Sequence, residues 1–185
     1  EVYCAAVLAK DEELMNVFRQ GGNFHSAIAK QVFKLPCEVE EVAELYGDRR
    51  QQAKAVTFGI MYGAGPQKIS WQVSKDSGKE FSVGEASRVI TQYFDMFKNL
   101  KKWLSINQQF IRDNAFIYSF FGRKRRLPNA KSKDQGIASH EVRSGINFLV
   151  QSVASDVNLL AAIEMNEYIT VSYTHLRAHE TPYHL

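Results

Sequence analysis

Apolar and polar positions along the chain predict a mostly helical protein. Val7, Leu8, Leu14, Val17 and Phe18 recur at helical spacing and predict a helix over 4–19. A second helix is expected at 26–34, with His25 at its entry. A third fits 49–62, where Asp48 with Gln51 reads as a capping box. Gly63, Ala64, Gly65 and Pro66 then stop it, since glycine leaves helical geometry easily and proline cannot continue it. Ser82 and Glu85 form another capping box, opening a long helix over about 83–113. Its inner face carries Ile90, Phe94, Phe97, Leu100 and Leu104. Phe116 to Phe120 reads as a strand, turning at Gly122 to pair with residues near Leu127. A last helix is expected over about 137–168.

Two polar stripes stand out from this pattern. Arg50, Lys54, Phe58 and Tyr62 are spaced four apart, so they drift slowly along one helix face. Twelve residues of helix rise about 18 Å, the reach of a nucleoside triphosphate. Phosphates would meet the two cations and rings the two aromatics; the plainer alternative is a solvated basic end and two core aromatics. Arg143, Asn147 and Gln151 form the second stripe. Their side chains can donate to purine N3 and pyrimidine O2, acceptors found in nearly the same minor-groove place in every correct pair. An exposed polar helix face is the alternative there. From Lys98 to Lys133 the balance is strongly basic, and Gly122 through Pro128 reads as a basic hairpin tip suited to phosphate contacts.

The string Arg50-Gln-Gln-Ala-Lys54-Ala-Val-Thr-Phe58-Gly-Ile-Met-Tyr62-Gly63 resembles motif B of family A (Pol I-like) DNA polymerases. Glu1 through Ala9 resembles the end of the family's motif A, and Gly22-Asn23-Phe24-His25 its Asp-Ile-His. Ser119 to Pro128, with Gly122-Arg123-Lys124-Arg125-Arg126, is similar to its basic hairpin. Arg143-x3-Asn147-x3-Gln151 before Ala154-Ser155-Asp156 resembles a further segment. The likeness covers about residues 1 to 170. It implies fingers plus partial palm of a right-hand polymerase, mainly α (α+β) and truncated at both ends. Residues 1–15 would be palm, 16–130 fingers and 131–170 a return to palm, with the last helix bent near Leu149.

The implied roles follow residue by residue. Arg50, Lys54 and His25 would hold the β- and γ-phosphates, with Lys54 protonating the leaving pyrophosphate. Phe58 would lie by the sugar and Tyr62 near the nascent pair. Glu1 would pack with Tyr62 and exclude a 2′-hydroxyl. Arg123, Arg125, Arg126, Arg143, Asn147 and Gln151 would contact DNA. Primer-template DNA and dNTPs are the implied partners and Mg²⁺ the implied cofactor. Tyr3, Asn23 and Ser152 depart from the family, which has arginine, aspartate and glycine there. The two metal-binding aspartates of the family are absent, so no metal ligand is expected and the chain is expected to be inactive alone.

From Val171 the text looks like a sequencing adapter translated in error, expected to be non-native over 171–185. His175, His179 and His184 fall there, against which a histidine metal site is the weaker reading. Net charge is only +3, too small to name a partner by itself. A 45% hydrophobic content fits a globular protein and argues against disorder, and no run of 18–20 continuous apolar residues suggests a membrane span. Cys4 and Cys37 suggest no disulfide framework, so a reducing cytoplasm is expected, of a bacterium or phage-infected host. The rival readings are a single-subunit RNA polymerase fragment and a non-catalytic nucleic-acid-binding protein. Phe58-Gly59 and Glu1 speak against the first.

Overall fold

The computed structural model describes residues 1–19 and 23–179, with side chains as far as Val171. The order is α1 (Val2–Ala9), α2 (Glu12–Arg19), α3 (Phe24–Phe33), α4 (Val42–Leu45), α5 (Gly47–Met61), α6 (Pro66–Ser77), α7 (Val83–Met96) and α8 (Lys98–Asn114). A hairpin of β1 (Phe116–Tyr118) and β2 (Lys124–Arg126), a 3-10 turn (Pro128–Lys131) and α9 (Gln135–His179) follow. The mainly helical class expected from the pattern is therefore observed.

Alpha-helix α5 sits between α3 and α6, and this sandwich sets up everything that follows. Ala53, Val56, Thr57, Ile60 and Met61 are buried on its packed side. Arg50, Lys54, Phe58 and Tyr62 are left on the other. One helix thus divides cleanly into a core face and a working face. On the far side α8 packs against both α1 and α9, and Tyr93, Phe97, Leu100 and Ile111 join the deepest core.

Two helices expected to be continuous are broken, and one carboxylate accounts for both breaks. Helix 4–19 parts at Lys10, whose φ of 51° is left-handed. Asp11 follows, only 2% exposed, and its Oδ1 accepts from Leu14 N at 3.1 Å to cap α2. Its Oδ2 accepts from Leu100 N at 2.8 Å, capping α8 as well. Helix 83–113 therefore parts at Phe97, where a side chain distant in sequence supplies the new start. The apolar repeat runs unbroken across the join, so the pattern alone could not show it.

Further differences are local. Asp48 caps nothing: α5 starts two residues earlier than expected, after Tyr46, and Asp48 instead pairs with Lys79. Helix α6 is additional to those expected, with Pro66 at its start and Gly78, at φ 67°, ending it. The Ser82–Glu85 capping box is present. The hairpin closes with Ser119 N donating to Arg123 O at 2.8 Å, and Phe116 pairs with Arg126. Asp134 caps α9, its Oδ1 accepting from Gly136 N at 2.7 Å, and the helix passes Leu149 without interruption.

Beyond Asp156, α9 leaves Val157, Leu160, Ile163, Tyr168 and Ile169 exposed. By length and composition Gln135–Val171 is long and apolar enough to cross a membrane, with mean hydropathy 1.4 over its most apolar 18 residues. The expectation of no unbroken apolar run of 18–20 residues is unaffected, since polar residues are interspersed along this helix. Asp156, near the middle of this helix, opposes a span, because a charged side chain at a bilayer centre costs about 2.5–3.5 kcal/mol.

Candidate functional site

The working face of α5 is completed by α1 and α3. His25 lies in the first turn of α3, its ring 5.6 Å from that of Phe58. Phe58 and Tyr62 lie nearly parallel, 6.4 Å apart. Tyr62 Oη donates to Glu1 Oε2 at 2.8 Å, joining residues sixty-one apart in sequence. The hydrogen bond to Glu1 raises the Tyr62 phenol above its ordinary value, so Tyr62 stays the donor. Glu1, His25, Arg50, Lys54, Phe58 and Tyr62, separate in the sequence, thus border one surface.

Phe58 stands as a ridge between two clefts of about 440 Å³ each. One is walled by Glu1, Tyr3, Phe18, Phe24 and His25. The rings of Tyr3 and Phe18 meet edge-on, and Phe18 stacks on Phe24 at 4.3 Å. Tyr3, where arginine was expected from the resemblance, has become part of an aromatic wall. The other cleft lies between α5 and α6 and adds Lys68, Gln72 and Asp76 to Lys54, Phe58 and Tyr62. Sequence reading missed α6's share. Its signal was Lys68 and Gln72 four apart after a proline start. Gly59 lets the two helices approach closely: a Cβ there would stand 2.6 Å from Ile69 Cγ1.

The electrostatics of this face favour anions. Lys54 is exposed and Arg50 half-buried, and neither forms a salt bridge with a described carboxylate. Burial lowers the His25 proton affinity first, and the charges of Lys54 and Arg50 lower it further. Its Nδ1 is buried with no partner among the described residues. An anion between His25, Arg50 and Lys54 would relieve the mutual repulsion of this group.

The second stripe begins where the first ends. Gly63, at φ 65°, has the stem of Arg143 against it, and a Cβ would lie 2.7 Å from Arg143 Cγ. Arg143 and Asn147 are half-buried and Gln151 is exposed, leading away along α9. The hairpin flanks them. Arg123 holds Asp156 at 2.7 Å, and Arg125 donates to Ser144 Oγ at 2.8 Å with its guanidinium over Phe148. Arg126 is exposed on β2. Arg123 and Arg125 therefore fasten the hairpin to α9, while Arg126 is free of that duty.

Among the described residues no group of three or more His, Cys, Asp or Glu could hold an ion. Glu1 already accepts from Tyr62. The side chains of His175, His179 and His184, on which the histidine metal-site alternative rests, lie outside the described residues, as does Gly22 of the His25 motif.

A cationic–aromatic helix face is thus continued by a polar stripe and flanked by a basic hairpin. The comparisons give the family. Residues 1–179 match the family described as DNA polymerase family A, and the chain belongs to it. It is 43% identical to the DNA polymerase of Escherichia phage T5, covering 92% of this chain and 22% of that protein. It is 30% identical to DNA polymerase I of Caldicellulosiruptor bescii, covering 89% of this chain and 18% of the relative. The chain thus spans about a fifth of the curated relatives' length. The solved POL domain of Pol1 from M. smegmatis, in complex with DNA primer-template and dNTP, superimposes with TM-score 0.79 at 25% identity. That likeness covers 92% of this chain and 28% of the Pol1 chain.

Proposed function

We propose that this chain is the dNTP-binding fingers region, with adjoining palm, of an enzyme that extends a DNA primer on a template. The observation that carries this reading is the alignment of Arg50, Lys54, Phe58 and Tyr62 on the free face of α5, with His25 opposite. Arg50, Lys54 and His25 bind the triphosphate, their charges matching the charge that grows on the departing pyrophosphate. Lys54 holds the proton that pyrophosphate takes up as it leaves. Phe58 lies along the sugar and Tyr62 against the forming base pair. The Tyr62–Glu1 bond closes the floor beneath the sugar, where a 2′-hydroxyl would collide. Arg143, Asn147 and Gln151 read minor-groove acceptors of the pair just made.

The chain by itself binds but does not catalyse, because its described residues offer no carboxylate cluster for the Mg²⁺ on which the family generally depends. The stretch 171–185 is, on this reading, non-native; comparing its nucleotides with library adapters tests that separately. For function, the purified chain is titrated into labelled primer-template with and without the next correct dNTP, and extension is followed on the same samples. Binding tightened by the correct dNTP, without extension, is expected. Extension would overturn the claim of inactivity, and absence of any binding would overturn the reading itself.

A further inference from the structure

Asn23 links the two elements that hold the phosphate-facing cations. Its Oδ1 accepts from Ser26 N at 3.3 Å, capping the helix on which His25 sits. The same oxygen accepts from Arg50 Nε at 3.3 Å, across to α5. One neutral carboxamide thus orders the start of α3 and fixes the position of Arg50 through two hydrogen bonds to one oxygen. The family resemblance places an aspartate here, and the difference has a physical consequence. A carboxylate at this point would neutralise Arg50 and compete with any phosphate for it. An amide holds the guanidinium without cancelling its charge. Arg50 also lacks a salt bridge to any described carboxylate, so its charge stays available.

We infer that Asn23 is a positioning residue which presents Arg50 to the triphosphate at full charge, and that its neutrality strengthens triphosphate binding at this site. The inference rests on the dNTP-binding reading above but is separable from it. It predicts opposite behaviour for fold and for ligand on one substitution. Asparagine and aspartate cap helices about equally well, so Asn23→Asp keeps α3 intact. What it adds is one negative charge beside Arg50.

The test uses the complete 185-residue chain. Affinity for dATP is measured by calorimetry at low and high salt for the unsubstituted chain, Asn23→Asp and Asn23→Thr, with thermal midpoints recorded for each. Asn23→Asp is expected to keep its midpoint and bind dATP about tenfold more weakly at low salt, a gap that closes as salt screens the charge. Asn23→Thr keeps a capping oxygen but is too short to hold Arg50, and should lose about threefold with little salt dependence. Equal dATP affinity for Asn23→Asp and the unsubstituted chain overturns the inference while leaving the dNTP site standing. A loss for Asn23→Asp that tracks a falling midpoint and ignores salt overturns it too, since a purely structural cap would behave that way. No dATP binding by the unsubstituted chain overturns both.

Discussion

At the scale of single residues, His25 shows how the site's chemistry follows from its surroundings. Burial disfavours its charged form, and Lys54 and Arg50 add repulsion, so its folded proton affinity lies below the ordinary value of 6.5. The unfolded chain then takes up a proton at a higher pH than the folded one. Stability from this group is complete above pH 6.5 and is lost as pH falls from there through the lowered folded value. Thermal midpoints measured down that range should fall for the natural chain and fall less for His25→Gln. A bound triphosphate reverses the sign by supplying negative charge. Titrating dATP near pH 6 in buffers of different ionisation heat should therefore reveal proton uptake that His25→Gln lacks. His25 was marked out as a candidate by its motif, and the structure sets it beside Phe58 on α5. Its companions Asn23 and Tyr3 stood out in the sequence only as departures, because a hydrogen bond across to α5 and an aromatic wall leave no periodic trace.

Among the elements, helix ends carry the information that the sequence conceals. The Ser82–Glu85 capping box was readable because both partners lie within four residues. Asp11 was not, because half of its work is done on α8, eighty-nine residues away. That carboxylate is the physical reason why two expected helices are four. Asn99 Nδ2 adds a bond to Lys10 O at 3.1 Å in the same corner. Asp11→Ala removes two caps at once and leaves buried amides unpaired, so a loss of about 2–4 kcal/mol in chemical denaturation is expected. Asp11→Asn retains an accepting oxygen and should lose distinctly less. If Asp11→Ala were as stable as the natural chain, the double cap would not be what holds α1, α2 and α8 together. Helix α6 was missed for a different reason: its apolar positions, Ile69 and Val73, are too few to register, and what docks it is the bare backbone of Gly59.

For the whole molecule, the arrangement is a sandwich that leaves one face of α5 uncovered and extends that face along α9. The mainly helical class, the hairpin and both polar stripes could be read from spacing. Their meeting at Gly63 and Arg143 could not, because it depends on a left-handed glycine and on how α9 returns beside α5. The exposed apolar half of α9 also escaped sequence reading, since its residues look like core until the fold shows nothing described packed on them. The claim on which the functional reading depends is that the free face of α5 is where a triphosphate binds. The most direct measurement is the dATP affinity of the full chain against that of Arg50→Gln with Lys54→Gln, with circular dichroism to establish equal helix content. Both positions lie off the core, so the fold should survive. Each charged contact contributes about 1.5–3 kcal/mol, and the pair should therefore cost at least about a hundredfold in affinity. Unchanged dATP affinity in a folded double variant would contradict the assignment of this face.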